Sequence, residues 1–249
     1  MKLKLYIVIP AYNEEARIEK TVRAYHDFFA KKELPYATEL LVVLNGCTDN
    51  TYTIVYNLSR QLSGVHMLTL SDAGKGLAIK AGFAHALDRH ADLIGFVDAD
   101  MATLPEYFYD LVTHRGRNDG IIASRYMPGA KTIPSRPLIK RWGSKIFYEP
   151  LAYILFGLSY YDLQCGAKLF TAQTVALILP HLTMQQWACD VEILYWCRRY
   201  DLTILEYPTT WTDQANSKLT FAAGIRMITS LMYMRICLTY TSFMMSKKK

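Results

Sequence analysis

Asp98 and Asp100 stand one residue apart at the end of an apolar run, Leu93-Ile94-Gly95-Phe96-Val97. Such a run reads as an interior strand of a parallel sheet, and open α/β sheets place their ligands beyond the carboxyl ends of their strands. Residues two apart on a regular strand face the same side, so the two carboxylates repel each other unless a cation lies between them. A divalent ion holding a diphosphate would satisfy both, because Mg2+ and Mn2+ take hard oxygen ligands and bind through one or two carboxylates plus phosphate. The alternative is that Asp100 caps a helix beginning near Leu104-Pro105-Glu106, with Asp98 solvated at the strand end.

The elements that must position these acids alternate along the chain. The patterning predicts strands at Leu5 to Ile9, Glu39 to Leu44, Val65 to Leu70, Leu93 to Val97 and Gly120 to Ala123. It predicts helices at Glu14 to Phe29, Asn50 to Leu62 (capped by Asp49 or Asn50) and Gly76 to Arg89. Alternation at this spacing means βαβ crossovers and a mostly parallel sheet flanked by helices. The first three strands end in Pro10-Ala11-Tyr12-Asn13-Glu14-Glu15, Asn45-Gly46-Cys47-Thr48-Asp49-Asn50-Thr51 and Asp72-Ala73-Gly74-Lys75-Gly76. In a doubly wound sheet these loops open on one edge and line a single crevice with Asp98 and Asp100.

At 249 residues the chain can bury one large α/β core, and its 51% hydrophobic content excludes a mainly disordered protein. Five cysteines, without metal-ligand spacing, read as reduced thiols of a cytosolic compartment. The net charge of +6 suits nucleic acid, anionic lipid or a phosphorylated substrate. No helix-turn-helix, finger or RNA-binding signature accompanies it, which argues against nucleic acid. The N-terminal apolar run is too short for a signal peptide and reads as the first strand.

The motifs Ile9-Pro10-Ala11-Tyr12-Asn13-Glu14-Glu15, Asn45-Gly46-x-Thr48-Asp49-x-Thr51, Gly74-Lys75-Gly76 and Asp98-Ala99-Asp100, in that order, resemble the signature of family 2 glycosyltransferases with a GT-A fold. Ser124-Arg125-Tyr126, Asp162 to Phe170 and Asp190-Val191-Glu192 are similar to the branch that makes dolichyl-phosphate or polyprenyl-phosphate sugars. The match spans roughly residues 5 to 218, and the ordered set is far more specific than any one motif. The resemblance implies a GT-A domain over residues 1–218, a single Rossmann-like sheet, with a C-terminal amphipathic helix and basic tail over 219–249.

It also implies roles. Pro10, Ala11, Tyr12 and Glu14 line the nucleobase and ribose pocket, Asn45 stands where the family usually has aspartate, in a nucleotide-binding loop that can still hydrogen-bond a uracil or ribose but has lost a negative charge, and Lys75 lies near the nucleotide. Asp98 meets ribose or metal, Asp100 ligates Mg2+ or Mn2+, and Lys218 is a second cation for the departing diphosphate. Asp98-Ala99-Asp100-Met101-Ala102-Thr103 is closer to the Asp-Ala-Asp-Gly-Ala-Thr of dolichyl-phosphate glucosyltransferases than to the Asp-Ala-Asp-Leu-Gln of mannosyl-phosphate synthases. That favours UDP-glucose, or another UDP-sugar, over a GDP-sugar. Arg125, Arg136 and Arg141 stand where family members hold the acceptor phosphate, with Lys131 and Lys140 in the same field. Paired guanidiniums suit phosphate geometry.

A phosphomonoester, with a second pKa of about 6, is already an anionic nucleophile and requires no general base. The expected reaction is inverting displacement at the sugar's C1. Asp190 is then left with two readings, an organiser of the sugar or of Arg125 and its neighbours, or a helix N-terminal acid favoured by the macrodipole. A turn accounts for Asp162 and Gln164. Trp187 and Trp211 could flank a ligand, though buried aromatics are commoner. Ile146 to Tyr161 and Leu219 to Met245 are apolar, but Arg226 and Arg235 oppose a spanning helix, since Arg at a helix centre costs roughly 2.5–3.5 kcal/mol. The expectation is a peripheral enzyme on the cytoplasmic face of a membrane, with room for a membrane protein partner. Two other classes stay open: a same-fold transferase to a saccharide or protein hydroxyl with Asp190 as base, and a nucleotide-binding scaffold without catalysis.

Overall fold

The structure, a computed structural model, describes residues 2–133, 148–212 and 228–239. Arg136, Lys140, Arg141 and Lys218, with parts of both predicted apolar segments, lie outside the described residues. Nine strands run β1 Leu3–Ala11, β2 Tyr36–Asn45, β3 Val65–Leu70, β4 Leu93–Val97, β5 Gly120–Ser124, β6 Lys131–Ile133, β7 Ala167–Thr171, β8 Ile204–Pro208 and β9 Thr210–Thr212 among the described residues. The helices used below are α1 Ile18–Ala30, α2 Thr51–Gln61, α3 Lys75–Asp88, α4 Pro105–His114, α5 Glu149–Phe156, α6 Ala172–Ile178 and α7 Cys189–Arg199. A further helix occupies 228–239.

Strand order in the main sheet is β3-β2-β1-β4-β7-β5-β8, and β6 with β9 forms a separate parallel ribbon. The predicted parallel core holds for β1, β2, β3 and β4. β7 departs from it, running antiparallel to both β4 and β5. The reason is where the chain re-enters the sheet. Val97 pairs with Ala167, so β7 starts at the edge where β4 ends, and the loop before it joins the crevice.

The period of two divides the core between the two faces of the sheet. Leu5, Ile7 and Ile9 join Val42, Val97 and Leu169 under α1, α2 and α4. Tyr6 and Val8 join Val43, Ile94, Phe96 and Phe170 under α3, α6 and α7. Helix α1 buries Ile18, Val22, Tyr25 and Phe29, an apolar stripe at helical spacing. It begins at Ile18 rather than Glu14 because Asn13, at φ 52°, turns the chain, and Glu14 and Glu15 are drawn into contacts with the second loop.

The helix over 228–239 docks on this core through Leu231, Met234 and Leu238, while Met232, Tyr233 and Ile236 on its other side are exposed. Among the described residues no helix is long and apolar enough to cross a membrane. All five cysteines are free thiols. The short strands β6, β8 and β9 were not legible in the sequence, because β8 is half-buried throughout and shows no clean alternation.

Candidate active site

The loops after β1 and β2 are zipped together. Thr48 N donates to Asn13 Oδ1 at 2.8 Å, Glu14 N to Thr51 Oγ1 at 2.8 Å, Glu15 N to Asp49 Oδ2 at 3.1 Å and Asn50 N to Glu15 Oε2 at 2.9 Å. Asn45 joins the third loop to this pair, donating from Nδ2 to Ala11 O at 2.8 Å and accepting from Gly74 N at 2.9 Å. Asn45 is 2% exposed and its side-chain oxygen and nitrogen are both engaged in this bracing. Asp49 accepts from Thr51 N at 3.0 Å just ahead of α2, while the cap position itself is Asn50, which makes no side-chain cap bond. Pro10 and Ala11 close β1 at the same edge, Tyr12 projects into solvent, and Glu14 is held by Arg17 through two hydrogen bonds.

Asp98 follows β4 directly, and its N–H donates to Gly166 O at 3.1 Å. A Cβ on Gly166 would fall on the Asp98 carboxylate, so a larger residue there would displace the acid from this position. Asp100 does not cap α4. Its Oδ1 accepts from Ala102 N at 3.0 Å, while the helix begins with Pro105 after an extended Leu104. Burial, followed by the neighbouring charge of Asp98, pushes the Asp100 carboxyl above its usual range.

Lys75 opens α3 and places Nζ 2.9 Å from Asp98 Oδ1 and 3.2 Å from Asp190 Oδ2. The N–H of Gly76, next along, is taken by Gln185 O at 2.9 Å, so Lys75 presents cationic charge at a helix start whose next amide is already occupied. Asp190 is buried and bonds Lys168 Nζ through Oδ1 at 2.7 Å. Burial would push its carboxyl up, but Lys168 and Lys75 hold it below the usual carboxylate range. Asp190 therefore organises two lysines, not Arg125. Glu192 faces elsewhere, accepting from Thr183 N and Met184 N at 2.9 Å, and so anchors the loop that meets Gly76.

The partner of Arg125 is Asp162. Nε and Nη2 donate to its two oxygens at 2.7 and 2.8 Å, and the Arg125 backbone N–H adds a third bond at 2.9 Å. The turn assigned to Asp162 thus carries a fully buried carboxylate, with its own N–H donating to Glu206 Oε1 at 2.8 Å. Trp211 is buried with its ring 5.4 Å from the guanidinium, whereas Trp187 is exposed. The 162–166 loop therefore runs from the carboxylate that holds Arg125 to the carbonyl that receives Asp98 N–H. Sequence reasoning missed Lys168 and the Asp162 pairing. A signal for the first was present, a lysine inside the apolar run Ala167-Lys168-Leu169-Phe170.

Residues 6–171 match the model for glycosyl transferase family 2. This chain belongs to that family. A dolichyl-phosphate beta-glucosyltransferase of Trichomonas vaginalis is 30% identical over 245 residues, covering 93% of this chain and 73% of the relative. The dolichyl-phosphate beta-glucosyltransferase of Dictyostelium discoideum is likewise 30% identical, covering 93% of this chain and 73% of the relative. Among solved structures, glucosyl-3-phosphoglycerate synthase from Mycobacterium tuberculosis in complex with Mn2+, UDP and glucosyl-3-phosphoglycerate superposes with a TM-score of 0.66. It is 17% identical, covers 93% of this chain and 79% of that one, and shares the fold. The family 2 chain thus has the α/β GT-A architecture, and it is a glycosyltransferase.

Proposed function

We propose that this glycosyltransferase moves glucose from UDP-glucose to dolichyl or polyprenyl phosphate with inversion at C1, at the cytoplasmic face of a membrane. The observation that carries the reading is the placement, on one sheet edge, of an acidic pair with Lys75 beside Asp98 and of Arg125 at the far end of the 162–166 loop. The names of the relatives over 93% of the chain support the acceptor and the sugar.

In this reading Pro10, Ala11, Tyr12 and Glu14 flank the nucleotide, with the Asn45 brace behind them and Lys75 facing the diphosphate; Lys218, outside the described residues, is proposed as a second cation for it. Asp98 and Asp100 suit a divalent metal, since they offer hard oxygens and burial with mutual repulsion has already raised the Asp100 carboxyl. Mg2+ or Mn2+ held there would supply positive charge to the leaving diphosphate. Arg125, its plane fixed by Asp162, receives the acceptor phosphate; Arg136 and Arg141, outside the described residues, are proposed as further cations for it. An acceptor oxygen then forms the bond to C1 while the C1–O bond to the diphosphate breaks, and the electron pair leaves with UDP. No side chain takes a proton, because the phosphate is anionic near neutral pH. The two lysine partners on Asp190 support its role as a counter-charge over that of a base.

The test is nucleotide release from a panel of UDP- and GDP-sugars, with Mn2+ or Mg2+, with and without a short polyprenyl phosphate. Release that needs UDP-glucose, metal and the lipid phosphate together, and that is lost in Asp100→Ala, is the expected result. Release stimulated by a saccharide or peptide hydroxyl and indifferent to the lipid phosphate would transfer the assignment to the hydroxyl reaction, with Asp190 as base.

A further inference from the structure

Lys168 lies in the middle of β7, fully buried, where Ala167, Leu169 and Phe170 around it belong to the core. Its Nζ donates to Asp190 Oδ1 and to Cys165 O, each at 2.7 Å, and sits 5.5 Å from the centre of the Phe96 ring. The same ring lies 5.7 Å from Lys75 Nζ. Four groups of alternating sign thus run outward from the core, Lys168, Asp190, Lys75 and Asp98, with side-chain exposures of 0%, 4%, 18% and 38%.

A buried ammonium is costly, and replacing a buried ion pair by apolar side chains of similar volume is often neutral or stabilising. Core packing alone therefore does not call for a lysine at this place. We propose that Lys168 is a positioning residue for Lys75: by holding Oδ1 of Asp190, it leaves Oδ2 as the fixed anchor that keeps the Lys75 ammonium at Asp98. Without it, both oxygens of Asp190 compete for Lys75 and draw the ammonium inward, away from the mouth. Lys168 itself touches no ligand, and its effect passes through Asp190. The inference rests on the reading of Lys75 as a contact to the donor diphosphate.

The test is a double-mutant cycle on UDP affinity, measured by calorimetry in the presence of Mn2+, on the full chain carrying Lys75→Met, Lys168→Met or both. Lys75→Met is expected to weaken UDP about tenfold and Lys168→Met about fivefold, with the double variant no weaker than Lys75→Met alone, as expected for coupled residues. Wild-type UDP affinity in Lys168→Met, or losses that multiply in the double variant, would overturn the inference while leaving the Lys75 reading intact. Wild-type affinity in Lys75→Met would overturn that reading and the inference with it. Lys168→Met/Asp190→Asn buries no unpaired charge and guards against misfolding. It is expected to melt near the wild-type temperature yet bind UDP as weakly as Lys168→Met, and wild-type UDP affinity in this variant would also overturn the inference.

Discussion

At position 45 an amide does what a carboxylate cannot, donating to Ala11 O on one side while accepting from Gly74 N on the other. Asn45→Asp keeps the shape, removes the donor and buries a negative charge against a carbonyl. Leaving such a group unsatisfied costs about 1–3 kcal/mol, or more when charged. Thermal melting is expected to show a loss of about 2–4 °C per kcal/mol at this chain length, with UDP affinity reduced as the first and third loops separate. An unchanged melting temperature would contradict the bracing role. Asp190 and Asp162 set the acid limit in the same way. Burial opposes their charge, but lysine and arginine partners hold both carboxyls below the usual range. An unfolded aspartate titrates near 3.9, so this stabilisation is complete above that value and lost as pH falls through the lower folded values. Urea unfolding between pH 5 and 2 is expected to show a shallower decline for Lys168→Met/Asp190→Asn than for the wild type.

Between elements, the acidic loop is held from both sides. From α1, Thr21 Oγ1 donates to Ala99 O at 2.7 Å and, one turn on, Tyr25 OH donates to Thr103 O at 2.8 Å. From β9, Thr212 N donates to Ala102 O at 2.8 Å. Within this grip Met101 takes φ 60°, a left-handed conformation that a non-glycine residue adopts at a cost. Thr21→Val is nearly isosteric and removes one buried hydroxyl, the one that holds Ala99 O between the two acids. It is expected to lower stability by about 1–3 kcal/mol and to weaken Mn2+ binding, read by electron paramagnetic resonance with UDP present. Wild-type Mn2+ affinity in this variant would show that the loop keeps its shape without α1.

At the scale of the whole fold, two helices among the described residues carry exposed apolar side chains. Ion pairs line the sheet edge, while Tyr153 and Ile154 of α5 and Met232, Tyr233 and Ile236 of the 228–239 helix stand exposed. Such residues, with a basic C-terminal Lys247-Lys248-Lys249, suit an interfacial helix on anionic lipid. Burying each large apolar side chain is worth about 1.5–3 kcal/mol, so Tyr233→Ser/Ile236→Ser is expected to cut co-sedimentation with anionic vesicles roughly tenfold or more. Its melting temperature is expected to stay close to that of the wild type, since both side chains are exposed. Unchanged partitioning would show that this face does not meet the membrane.

Local order in the chain was enough to identify the parallel core, the helices α1, α2 and α3 and the acidic pair at the end of β4. Each rests on periodicity or on a motif contiguous in sequence, and such signals are local by nature. The family resemblance came from the same contiguous motifs. The tertiary structure alone decided the reversal of β7, the pairing of Arg125 with Asp162 across 37 residues, the inward turn of Asn45 and the union of Lys75 with Asp190 across 115. Those contacts join residues with no shared local pattern, so their partners are set by which loops the sheet brings to one edge. Burial then makes each pairing obligatory, because a charge withdrawn from water must find an opposite charge or a hydrogen bond where the fold places one.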